Sequence, residues 1–154
     1  MWKAFQRYRA LDPEARGLFR RAAFLIPQIT TSLHLRGFKK TQRALQDHLS
    51  SASRELRNGD IEPIVQTTCR MVRAGARYGL IRPTCLVESL TLWYLLRRQN
   101  VPATLRIGVR KASEKFEAHA WVECQGTALN QPEEPHQHYA VFDSGFSDVQ
   151  DNRP

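Results

Sequence analysis

The sequence predicts one α+β domain, with helices filling the first hundred residues and antiparallel strands most of the remainder. Two patterns carry this. Up to Gln99 the apolar residues recur at helical spacing between capping signals, whereas from Ala103 to Arg110 they alternate strictly with polar ones, the period of a half-buried strand. Size and composition agree. A chain of 154 residues suits one domain, and at this length roughly 70% of the unfolded surface is buried on folding. With 42% hydrophobic and 25% charged residues the composition is that of a globular protein. Residues 1–50 read as a helical front half, 62–143 as the core, and 144–154 as a polar, frayed tail. Neither an internal repeat nor a linker divides them.

The elements follow in order. Asp12-Pro13-Glu14 opens the first helix, with Asp12 as N-cap, Pro13 at the first helical position and Glu14 in the first turn. Leu18, Ala22, Leu25 and Ile29 form its apolar stripe, which Pro27 is expected to kink or divide. Gly37 stops it, and Lys39–Leu49 makes a second short helix. Ser50–Asp60 reads as a loop. A third helix is expected from Glu62-Pro63 to Tyr78, with Ile64, Thr68, Met71 and Ala74/Gly75 inward, closing at Gly79. Pro83 then holds Arg82 extended and Thr84 caps a helix over Cys85–Gln99, with Cys85 in its first turn. Leu86, Leu90 and Trp93 line one face of that helix, and Leu92 and Leu96 with Cys85 and Ser89 another. An arc this wide makes it the central helix. Ala103–Arg110 is the first strand, Lys111–Lys115 a turn, and Phe116–Cys124 the second strand. Gln125-Gly126 turns a hairpin into a third, Thr127–Gln131, and Tyr139–Phe142 adds a fourth.

Charge and cysteine usage narrow the class. The 23 Lys+Arg against 15 Asp+Glu leave a net charge of +8, which favours an acidic partner. The arginines are spread along the first 110 residues without interleaved aromatics, so nucleic-acid binding is not the expectation. Cys69, Cys85 and Cys124 are odd in number and lack CxxC spacing, and the polar, aromatic start is no signal peptide. Free thiols in a reducing, cytoplasmic compartment follow, without zinc or another cofactor. The longest apolar stretch, Ala22–Leu35, is broken by Pro27, Gln28 and three hydroxyl residues and is too short to span a bilayer.

Cys85 is the candidate nucleophile. A helix N-terminus offers unpaired N–H groups and the positive end of the dipole, which favour a thiolate; the competing reading is a buried, inert thiol. His119 lies on the second strand, sharing a face with Trp121 while Ala118, Ala120 and Val122 take the other. Papain-like chemistry needs a central helix with Cys in its first turn and a neighbouring strand presenting His, in the order found here. The third member, which orients the imidazole, is expected on the paired strand. Gln131 and Asn130 are the polar candidates, the competing reading being two turn-forming amides before Pro132, with Asp143 in reserve. His136 and His138 with Glu133 and Glu134 are read as a solvated loop rather than a metal site. Glu88 is read as a partner of Arg82 or Arg98, and Trp121 as a lid or as core.

These residues carry a resemblance. Pro83-Thr84-Cys85-Leu86 with Ser89-Leu90, Trp93 to Arg98, Leu105 to Arg110, and Ala118-His119-Ala120-Trp121-Val122-Glu123 with Gly126 resemble the leader peptidases of lasso-peptide biosynthesis, the microcin-processing, transglutaminase-like proteins. Ala22 to Pro27 and Arg36-Gly37-Phe38 resemble that family's helical front half. The resemblance extends to about Phe142. It implies a bacterial cysteine peptidase that removes the leader from a ribosomally made precursor, with Cys85 as nucleophile and His119 as base. It also implies two further partners: a separate small leader-recognition protein, and an asparagine-synthetase-like cyclase that closes the macrolactam. The family places an Asn-Asp pair where this chain has Asn130-Gln131, so the third position carries an amide instead of a charge. A scaffold that holds the precursor without cutting it and a transglutaminase-like acyl transfer are the alternative activities.

Overall fold

The computed structural model describes residues 9–49, 58–112, 115–130 and 139–141. Four helices are followed by a small, curled antiparallel sheet of four strands, the α+β arrangement the two periodicities predict. Helix α1, Pro13–Arg36, starts where Asp12 accepts the Ala15 N–H at 2.7 Å. It ends at Gly37, whose φ of 76° is one that a side chain disfavours and whose N–H reaches Leu33 O. Pro27 does not divide it. Ala22, Ile26 and Ile29 are buried on both sides of the proline, and that continuous stripe outweighs one lost backbone hydrogen bond.

Helix α2, Phe38–Asp47, is tied back by Thr41, whose buried hydroxyl donates to Gly37 O and is bonded to Ser32 Oγ. Helix α3, Asn58–Tyr78, begins earlier than Glu62, so Asn58-Gly59-Asp60 are helical and the expected loop ends sooner. Pro63 is the sixth residue of α3, so the helix runs through a proline one turn past its start and forgoes one backbone hydrogen bond there. At Gly75 α3 presses against α1: a Cβ there would stand 3.1 Å from Ala22 Cβ.

Helix α4, Cys85–Arg98, is the central helix. Val87 and every residue from Ser89 to Leu96 are buried. It packs on α1 and α3 with one side and on the first two strands with the other.

The sheet runs β1 (Ala103–Ala112), β2 (Lys115–Cys124), β3 (Thr127–Ala128) and β4 (Ala140–Val141), in spatial order β3-β2-β1-β4. The β1–β2 register pairs Ala103 with Cys124 and Gly108 with His119. Both strands extend past the expected turn at Lys111–Lys115, to Ala112 and Lys115. Cross-strand pairing supports this: Arg110 bonds Glu117 at 2.7 Å across the ladder. The β2–β3 hairpin turns through Gln125 and Gly126, both at positive φ, as a two-residue hairpin requires. β3 is shorter than Thr127–Gln131. Leu129 N–H still reaches Val122 O, but at Asn130 a side chain takes over from the ladder. Ala103, Leu105, Val122 and Cys124 join the helical core. No helix of the described residues is long and apolar enough to cross a membrane.

Candidate active site

The head of α4 is built by Pro83 and Thr84. Thr84 is extended, with φ −74° and ψ 166°; its Oγ1 accepts the Val87 N–H at 3.4 Å and its carbonyl accepts the Glu88 N–H at 3.0 Å. Among the described residues nothing takes the N–H groups of Cys85 and Leu86, the orphan donors of the first turn. Cys85 is half-buried beside them, at the positive end of the helix dipole. The other two thiols lie away from any helix head, Cys69 within α3 and Cys124 at the end of β2. Burial pushes Cys69 up to about 11, with Arg73 opposing, and burial also raises Cys124, with Glu62 adding to it. Both are held protonated at neutral pH, as expected of core thiols.

A buried polar bridge locates α4 on the sheet. Ser89 Oγ, fully buried, donates to Ala120 O at 2.9 Å and accepts from Asn130 Nδ2 at 2.8 Å. Asn130 Oδ1 in turn accepts the Val122 N–H at 2.9 Å. Ala120 and Val122 turn their backbone polar groups away from β1, toward the β3 side, so Ser89 sits off the edge of β2. β3 covers that edge only opposite Glu123 and Cys124. The far end of α4 joins the sheet where Val101 N–H meets Leu96 O, near the Ala103–Cys124 pair. Helix and strand therefore run the same way. Cys85, one turn before Ser89, lies about 6 Å further back, equivalent to about two strand residues. That sets the turn carrying Cys85 beside the stretch of β2 that carries His119.

His119 is held by aromatic rings. It stacks on Trp121 with centroids 6.3 Å apart and an interplanar angle of 18°, and Tyr139 lies 5.5 Å from it. Trp121 is fully buried. Its Nε1 donates to Glu123 Oε1 at 2.9 Å, and Arg106 fixes the other carboxylate oxygen at 3.0 Å. Gly108 makes this packing possible, since a Cβ there would come within 2.9 Å of Tyr139 Cβ and 3.0 Å of the Trp121 ring. Within this cluster His119 Nε2 is buried and has no hydrogen-bond partner among the described residues. A buried polar atom left unpaired costs about 1–3 kcal/mol, the kind of cost accepted where a group has a task to perform.

The sequence-predicted residues are thus unevenly placed. Cys85 and His119 occupy the same end of the α4–β2 contact, yet no hydrogen bond joins them, and His119 shares the strand face of Trp121 rather than that of Val122. Asn130 spends its amide on Ser89 and Val122. Gln131 lies outside the described residues, as do Asp143, His136, His138, Glu133 and Glu134. Glu88 forms no ion pair with Arg82 or Arg98 among the described residues; burial raises its pKa, with Arg73 opposing, and Arg98 lies over Tyr94 instead. Trp121 is packed core that holds His119. The bridging of Ser89 and the anchoring by Glu123 and Arg106 were not predicted. Alternation already puts Trp121, Glu123 and Arg106 on one sheet face; nothing in a linear pattern joins Ser89 to Asn130.

Residues 28–144 match a family model described as the transglutaminase-like superfamily. No curated protein matches the chain, and no solved structure does.

Proposed function

The chain belongs to the transglutaminase-like superfamily, in which catalysis is usually cysteine-based, and from that premise we propose that it is a cysteine peptidase acting through Cys85 and His119. The observation that carries this reading is the buried His119 Nε2, without a hydrogen-bond partner among the described residues, on the strand stretch beside the head of α4. Burial raises the pKa of the other two thiols, and neither stands at a helix head: Cys69 lies within α3 and Cys124 ends β2.

In the proposed reaction Cys85 Sγ attacks the carbonyl carbon of a peptide bond. His119 takes the thiol proton and returns it to the leaving amine. Water then attacks the thioester and releases the acid and the free thiol. The N–H groups of Cys85 and Leu86 supply donors for the oxyanion. Trp121 keeps the imidazole in place, itself fixed by Glu123 and Arg106. The third role is assigned to Gln131.

The substrate we assign is the leader–core junction of a lasso precursor, because of the Pro83-Thr84-Cys85 and Ala118-His119-Ala120-Trp121 motifs. A leader-recognition protein and an asparagine-synthetase-like cyclase are its assigned partners. Reconstitution with precursor and both partners, read by mass spectrometry, tests the assignment. Wild type should release free leader, whereas Cys85→Ala and His119→Ala should leave the precursor intact. Undiminished cleavage by Cys85→Ala would overturn the peptidase reading, and leader joined to the amine of an added lysine peptide, in place of the free acid, would turn it into acyl transfer.

A further inference from the structure

Arginines dominate the rim of α3. Arg70, Arg73 and Arg77 stand at i, i+3 and i+7, one stripe of the helix. Two cavities open along that stripe and share Arg73. One, of about 390 Å³, reaches from Glu62 and Arg70 to Ala128 and Leu129 at the outer strand of the sheet. The other, of about 490 Å³, reaches from Arg73 and Arg77 to Arg82, Pro83 and Glu88. Together they form a groove walled by four guanidinium groups and two carboxylates. Pro83 and Glu88 bracket Cys85, so the groove ends at the turn that carries the thiol.

Glu62 and Glu88 offset part of this charge, and four guanidinium groups against two carboxylates leave the groove with an excess of positive charge. Among the described residues none of the four arginines forms an ion pair. Arg73 makes one 3.4 Å bond to Leu129 O, and Arg77 lies over the Tyr78 ring at 5.7 Å. All four are exposed and retain donors for a ligand. The groove is also unlike a nucleic-acid channel. Neither cavity has an aromatic side chain among its described lining residues, which are otherwise aliphatic and polar. Such surfaces take peptide side chains, whereas single-stranded nucleic acids need free stacking platforms.

We infer that the groove lined by Arg70, Arg73, Arg77 and Arg82 binds an acidic segment of a peptide and delivers the chain following it to the head of α4. The inference rests on the proposed peptidase reading for what happens at Cys85, but not for the binding itself. Bidentate pairing of guanidinium with carboxylate supplies the affinity and the preference for glutamate over its amide.

The test separates the two. Fluorescence anisotropy on the Cys85→Ala protein measures binding of a short labelled peptide of alternating glutamate and alanine, with a glutamine–alanine peptide as control. Arg77→Gln/Arg82→Gln should weaken binding of the glutamate peptide about tenfold, the loss of two charge-assisted contacts. Arg20→Gln/Arg21→Gln, which removes the same charge from the exposed face of α1, should change it less than about twofold. Arg70→Gln supplies a second, independent groove variant if the double substitution unfolds, and should weaken binding in the same direction. Equal loss in the groove and control variants, or equal binding of the glutamine peptide, would overturn the site. Stronger competition by a single-stranded oligonucleotide of matched charge would overturn the peptide as occupant. None of these outcomes bears on whether Cys85 is needed for cleavage.

Discussion

Replacing Ser89 by alanine should be among the costliest single-atom deletions in this protein. The hydroxyl is fully buried and makes two bonds, donating to Ala120 O at 2.9 Å and accepting from Asn130 Nδ2 at 2.8 Å. Without it the Ala120 carbonyl faces α4 with no donor, at a cost of about 1–3 kcal/mol. The Asn130 amide is only half-buried and can turn to water, so its loss adds less. A total of about 2–3 kcal/mol follows, which for a chain of this length lowers Tm by roughly 5–10 °C. Thr91→Val is the matched control. Thr91 is equally buried, but its hydroxyl bonds Val87 O, a carbonyl within α4 that already has its helical partner. It should cost less than about 1 kcal/mol. Thermal and urea unfolding followed by circular dichroism measure both variants. Equal costs for the two would refute the claim that Ser89 ties α4 to the open edge of β2.

Gly108→Ala should destabilise the protein by about 1–3 kcal/mol through overpacking, because the new methyl meets Tyr139 Cβ at 2.9 Å and the Trp121 ring at 3.0 Å; unchanged tryptophan fluorescence and unchanged stability would contradict that packing. Glu123→Gln should cost about 1 kcal/mol, since it weakens the bonds from Trp121 Nε1 and Arg106; chemical denaturation checks this, and no change would show that the carboxylate does not matter there. Cys69 carries a pH dependence. Burial raises its pKa from 9.0 to about 11, so the folded protein keeps a proton that the unfolded chain gives up. The stabilising contribution is complete below about pH 9 and is lost as pH rises toward 11. The stability difference between wild type and Cys69→Ala should fall across that window by about 1 kcal/mol per pH unit, and a flat difference would refute the assigned burial.

Where local chemistry decides, the sequence was readable. Thr84 as N-cap, Gly37 as helix stop, Cys85 at the head of the central helix and the Gln125-Gly126 hairpin all follow from groups acting on neighbours a few residues away. Where distant packing decides, it was not. Pro27 announces a break, but the buried stripe of α1 lets that helix run on, and Glu62-Pro63 reads as a helix start although α3 begins at Asn58. Lys111–Lys115 has turn composition, yet the ladder continues because Arg110 and Glu117 pair across it.

The site divides along the same line. Sequence order already aligns a helix-head thiol with a strand histidine, and alternation already groups His119 with Trp121. Asn130, by contrast, looks like one more turn amide until a partner forty-one positions earlier in the chain is seen to bond it. The arginine groove was legible in principle at Arg70, Arg73 and Arg77. Counting arginines along the whole chain hides that spacing, and only the fold brings Arg82 to join it.

The most direct test of the account is the alkylation rate of Cys85 by iodoacetamide at neutral pH, followed by peptide mass spectrometry in wild type and in His119→Ala. Cys69 and Cys124 serve as internal references within each protein. If the imidazole serves the thiol, Cys85 is modified first in wild type and about tenfold more slowly without His119, while the other two thiols keep their rates. Identical Cys85 rates in the two proteins would contradict the pairing on which the proposed chemistry depends.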